Sequence, residues 1–373
     1  MSAETVSIAP VQTAGRPRTG AADFRLGHRR SLDGVRGVAV LAVLAVHTHH
    51  LGGARLLPGG SLGVDIFFVL SGFLITGLLI EEWSRSGAIS LLDFYRRRAL
   101  RLVPALALLL LTLACVSRLA LTPQEAEQTV RAIPVAFLYM TDFVVSLDGR
   151  AALGALKHTW SLAVEEQFYL LWPLLLLAAL RARLSVRAIA LLTLALAIFV
   201  ALHRSMLWQG GAPVTRTYYG ADTRADALLI GCVAAMALYW NLAAPVGRGV
   251  ASAAAAVLAL LLLCTDYATP AMHLGGFSLA AAAAALVILR AVAAPSALTR
   301  VVLEAGPLVW AGRVSYGLYL WHYPVFKAVA RWGAPGPLKL TVALGVTFAV
   351  TAASFYLVER PALRLKGRYA RAR

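Results

Sequence analysis

The stretch "RGVAVLAVLAVH" (36–47) sets ten apolar residues between an arginine and a histidine. A segment this apolar suits a helix in lipid, and its two polar ends then need a reason. Arg36 and His47 stand eleven residues apart, which at 100° per residue is within about 20° of three full turns. The spacing predicts both on one helix face, about 16 Å apart along the axis. That face offers an anion-binding group at one end and a proton-transfer group at the other. The alternative is a guanidinium snorkelling to the headgroups and a hydrogen-bonded interfacial histidine.

The rest of the chain fits a bilayer. Of 373 residues, 60% are hydrophobic and 14% charged, against about 45–50% apolar and about 25% charged in soluble domains. Runs long enough to span lie near 34–50, 61–80, 99–117, 160–180, 186–202, 225–241, 250–266, 274–293, 314–331 and 337–358. The expectation is an all-α polytopic membrane protein of about ten transmembrane helices. The short apolar piece 132–145 reads as a re-entrant segment covered by protein.

Residues 1–30 read as a cytoplasmic tail, 31–360 as the membrane domain and 361–373 as a basic cytoplasmic tail. The first apolar run starts too late for a cleaved signal peptide, so the first helix is expected to stay as an anchor. Cys115, Cys232 and Cys264 all lie in apolar runs, with no disulfide or metal spacing. The net charge of +17 gathers on the segments that lie inside if the N-terminus is cytoplasmic. The positive-inside rule thus explains it, with both termini cytoplasmic in a cell inner (plasma) membrane. Nucleic-acid binding is not needed to explain it.

Ionisable groups at membrane depth are costly, and each is a functional candidate. In "FYRRRALRLVP" (94–104), Arg98 and Arg101 share a helix face beside Arg97. Guanidinium forks suit phosphate, although a stop-transfer charge run looks the same. In "HTWSLAVEEQFYLLWP" (158–173), Glu165 and Glu166 point about 100° apart. The count of spans puts them at the outer level of His47, where a carboxylate would orient the imidazole. Asp65 is expected at that level too, in the acceptor site. Arg224 and Asp226 read as an ion pair with each other. In "SYGLYLWHYPV" (315–325), Tyr316, Tyr319 and His322 line a stripe suited to a polar cavity, or to an aromatic belt.

These pieces resemble acyltransferase family 3, the integral-membrane acyltransferases. "SLDGVRGVAVLAVLAVH", "GVDIFFVLSGFLIT", "RRRALRLVPAL", "HTWSLAVEEQFYLLWP", "RADALLIG" and "SYGLYLWHYP" follow the family order over residues 31–325. The resemblance implies transfer of an acyl group, acetyl above all, from cytosolic acyl-CoA to a sugar hydroxyl. It also implies Arg36 and His47 as the first-helix motif and Arg98 and Arg101 as the paired arginines. Envelope polysaccharide and glycosylated secreted metabolites compete as acceptors. Long members carry an extracytoplasmic esterase-like domain after the membrane part. None is expected here, so the acyl group's fate is expected to rest with this domain.

On that reading His47 takes the hydroxyl proton, with Glu165 or Glu166 setting its tautomer. No metal is expected, and the oligomeric state is left open. A transporter would also bury ionisable groups, but it commonly shows internal repeats, and the sequence has none of fixed period.

Overall fold

The computed structural model describes residues 25–52, 55–147, 153–240 and 246–364. Most of both tails, 1–24 and 365–373, lies outside the described residues. Every described regular element is a helix. Each apolar run expected from the sequence forms one, from Arg30–His47 to Gly336–Ser354.

Seven helical segments are long and apolar enough to cross a membrane. A bent pair, Pro123–Phe137 with Thr141–Leu147, makes an eighth if it counts as one span. The expected ten are thereby reduced on these criteria. Arg248–Cys264 and Ser315–Ala330 have 17 and 16 residues. Ala221–Tyr239 carries Asp222, Arg224 and Asp226 in its first two turns. The bent pair turns by 120° over the segment read as re-entrant, the form of a broken span or of a re-entrant loop. Of the cysteines, only Cys232 is buried; Cys115 and Cys264 are exposed on the protein's outer faces.

Local sequence explains the ends. Ser90 caps Leu91–Ala120 by accepting from the Asp93 amide. Thr122 caps Pro123–Phe137, with Pro123 in the first turn and Glu125 returning to the Thr122 hydroxyl. Gly87 ends Leu62–Ser86 with a φ of 69° that a side chain would strain.

Packing at the centre depends on two glycines. A Cβ on Gly72 would stand 1.9 Å from the Leu228 carbonyl oxygen, and one on Gly231 would stand 2.1 Å from that of Val69. The helices Leu62–Ser86 and Ala221–Tyr239 therefore cross backbone to backbone, as small residues allow in lipid.

Two turns from those glycines, Arg224 donates to Asp65 at 2.7 Å, both buried. The Arg224 guanidinium lies 3.8 Å from the Phe277 ring centre. Beside it, Arg204 reaches both Asp226 oxygens at 2.9 and 3.0 Å, and Ser278 bridges the two. Arg224 and Asp226 therefore do not pair with each other, because 200° of helix rotation turns them towards different neighbours. Asp65 is likewise taken up by Arg224 and lines none of the cavities described below.

Removing one partner of a buried pair strands the other charge, at about 3–5 kcal/mol. Arg224→Met should lower the thermal midpoint of the detergent-solubilised protein sharply. Adding Asp65→Leu to it should recover most of the loss. Additive losses in this double-mutant cycle would show that the pair is not coupled.

Candidate active site

The Arg30–His47 helix presents its two polar ends to two neighbouring cavities. Arg36 lines one of about 70 Å³, with Arg98, Arg101, Glu165, Tyr169 and Tyr316. His47 lines another of about 190 Å³, with His49, His50, His158, Tyr219 and Tyr323. Val64 and Tyr319 belong to both walls, so the cavities adjoin. A third, of about 570 Å³, opens beyond Arg98 and Arg101 between Glu81, Glu82, Arg85 and Arg97.

At the arginine end the cations are unequally engaged. Arg98 donates through Nε and Nη2 to Glu166 Oε1 at 3.2 and 3.1 Å and lies 3.4 Å over the Tyr169 ring. Arg36 has a longer contact, 3.4 Å, to Asp33 one turn earlier. Among the described residues no carboxylate lies within ion-pair distance of Arg101. Glu165 accepts from the Tyr169 hydroxyl at 2.6 Å and from the Ser71 hydroxyl. This end thus has one tethered guanidinium and two with donors to spare, which suits an anionic or strongly polar ligand.

Both glutamates thus sit at the arginine end, not beside His47. The physical reason is where their helix begins. The 3₁₀ turn Gly154–Thr159 that precedes it is already buried: His158 is 4% exposed and Thr159 2%. Trp160 starts the helix at the level of His47, and five or six residues at 1.5 Å each carry Glu165 and Glu166 about 8–9 Å towards the arginines.

The carbonyl of Val43 does what a carboxylate was expected to do. It stands 2.7 Å from His47 Nδ1 and can only accept, so Nδ1 carries the proton. Nε2 is left with its lone pair, the form a general base needs.

Two more imidazoles gather there. His322 is buried 5.1 Å from His47 between ring centres, its Nδ1 held by the Tyr319 carbonyl at 2.7 Å. It stands behind His47 and lines neither cavity. His158 donates through Nε2 to the Leu320 carbonyl at 3.1 Å. Tyr316 donates to the Leu102 carbonyl at 3.2 Å in the arginine-side wall. Tyr319 stands between the cavities, donating to the His158 carbonyl at 2.8 Å and paired with Ser161.

Sequence reasoning missed His49, His50, His158, Ser71 and Tyr169. The run "HTHH" (47–50) and the "HTW" (158–160) at the start of the fourth apolar run were the available signals for the histidines. Ser71 had none, since a serine within an apolar run is ordinary. Among the described residues no group of three or more His, Cys, Asp or Glu could hold a metal ion.

Comparison with known proteins finds relatives over most of the chain. Peptidoglycan O-acetyltransferase OatA of Listeria monocytogenes is 32% identical over 349 residues, covering 89% of this chain and 55% of the relative. O-acetyltransferase OatA of Staphylococcus aureus is 34% identical over 361 residues, covering 91% and 58%. A candidate peptidoglycan O-acetyltransferase of Bacillus subtilis, YrhL, is 35% identical over 366 residues, covering 91% and 56%. The chain spans just over half the length of these relatives. No solved structure matches it. The family of acyltransferase domains matches residues 29–359, nearly the whole described bundle with both cavities inside it. The chain belongs to that family of membrane acyltransferases, acyltransferase family 3, which its sequence motifs resemble.

Proposed function

We propose that this protein is a membrane O-acetyltransferase, with residues 31–360 as its catalytic domain. It takes an acetyl group from acyl-CoA at the arginine end and delivers it near His47 to a hydroxyl of a carbohydrate acceptor. The observation that carries this reading is the adjoining pair of cavities on one helix, guanidiniums in one and an imidazole with a free Nε2 in the other. The relatives named for peptidoglycan favour envelope glycan over a secreted glycoside as acceptor.

Donor phosphates, which lipid cannot solvate, would lie over the third cavity near Arg97, Arg98 and Arg101, with the thioester arm threaded inward past Arg36. The hydroxyl oxygen attacks the thioester carbon while His47 Nε2 takes its proton. The C–S bond then breaks, and the imidazolium returns the proton to the departing thiolate. General-base help of this kind is worth about 10²–10⁴-fold. Tyr319, at the junction, is suited to position the thioester between the two sites.

The orientation goes with this proposal. Both termini are cytoplasmic in the plasma membrane, the two shorter helices and the charged Ala221–Tyr239 complete ten crossings, and His47 faces the outer half.

His47→Ala should insert normally and lose acetyl transfer from radiolabelled acetyl-CoA by about 10²-fold or more. Full activity in that variant would remove the mechanism.

Arg101→Lys keeps the charge and loses the fork, and it should raise the donor KM more than it lowers kcat. Unchanged acetyl-CoA binding by calorimetry in Arg98→Ala and Arg101→Ala would reduce the run to a stop-transfer signal.

Cysteines introduced at positions 5 and 370, in the two tails, should resist an impermeant thiol reagent in intact cells and react after permeabilisation. Labelling in intact cells would overturn the orientation.

A further inference from the structure

The His47 cavity has an unbalanced electrostatic character. Among the described residues its walls carry Arg55, Lys157 and four histidines, and no aspartate or glutamate. Arg55 is neutralised by Asp266, with which it forms a close ion pair. Lys157 is different: among the described residues no carboxylate lies within ion-pair distance of it. Its Nζ stands 5.2 Å from the Tyr219 ring centre. A ring face attracts the cation without occupying its N–H donors, so the ammonium keeps them for a ligand. Around it Trp160, Tyr218, Tyr219, Tyr267 and Tyr323 give the cavity apolar ring faces.

An unpaired ammonium kept in a half-buried cavity is costly unless a ligand supplies the counter-charge. A wall of aromatic rings with one unpaired cation and, among the described residues, no acid matches a pyranose that bears an anionic group. We propose that Lys157 selects acidic sugars: it binds a carboxylate or phosphate on the acceptor, and so holds the ring with a hydroxyl towards His47. The inference rests on the acetyl-transfer reading and adds the charge of the acceptor to it. Lys157 acts here in substrate binding, and the ion pair it forms is charge-assisted and partly shielded from water.

The test uses matched acceptors with the full-length protein in detergent and radiolabelled acetyl-CoA. N-Acetylmuramic acid and its methyl ester differ only in the charge of the lactyl group. N-Acetylglucosamine 1-phosphate and N-acetylglucosamine form the phosphate pair. The wild type should show an acceptor KM about tenfold lower for the charged member of at least one pair, and which pair responds identifies the anion. Lys157→Gln should bring the two KM values of that pair together, and Lys157→Arg should keep them apart. Raising salt from 50 to 500 mM should narrow the wild-type difference.

Equal KM values within both pairs in the wild type would overturn the proposal while leaving acetyl transfer standing. An equal fall in kcat for charged and neutral acceptors in Lys157→Gln, with the KM ratio intact, would also overturn it and assign the cation to the reacting centre. Absence of transfer to all four acceptors and to isolated cell-envelope glycan would instead count against the acetyl-transfer reading itself.

Discussion

The constraint on which this structure depends is the cost of placing charge where water is scarce. Asp65, Arg204, Arg224 and Asp226 are all nearly fully buried, and they are tolerated because each charge meets an opposite one at 2.7–3.0 Å. The two pairs join the helices Leu62–Ser86, Val186–Gln209 and Ala221–Tyr239, and Ser278 adds a fourth element. The backbone approach at Gly72 and Gly231 makes this possible, since bulkier residues would hold the helices apart. Charges that look catalytic in the sequence are thus partly the fastenings of the bundle.

Other charges remain outside those pairs. Arg101 and Lys157 have no ion-pair partner among the described residues, and they face different cavities. Arg36 is only loosely engaged with Asp33. Not every unpaired interior charge faces a cavity: Asp142 and Glu359 are buried without an ion-pair partner among the described residues, and Gln167 and Ser354 hydrogen-bond them instead. The proposed donor and acceptor sites rest on the placement of Arg101 and Lys157 in two different cavities.

The histidine end shows how a short-range contact replaces an expected long-range one. A histidine proposed as a base needs its tautomer fixed, and a carboxylate is a familiar way to do it. Here the carbonyl of Val43, one turn back on the same helix, serves that purpose. Such a bond comes with the helix geometry and adds no charge to the interior, so no acid has to be buried beside His47. Glu165 and Glu166 are left to the arginines, where guanidiniums and hydroxyls satisfy them.

The sequence by itself determined the apolar helices, the turn-back near 132–145 and the shared face of Arg36 and His47. These follow from hydropathy and from 100° of rotation per residue, which act within one helix. It also grouped Arg98 with Arg101, a spacing of three. Only the tertiary structure decided the partners: Asp65 with Arg224, Asp226 with Arg204, Glu166 with Arg98, and around His47 the buried His322 behind it and His158 in the same cavity wall. A partner on another helix depends on how far each helix is slid and rotated against its neighbour. Close packing at a few small residues sets that, and so does the depth at which a helix starts, as the buried turn Gly154–Thr159 shows. Neither quantity is carried by the periodicity of a single segment, and both are fixed once the bundle closes.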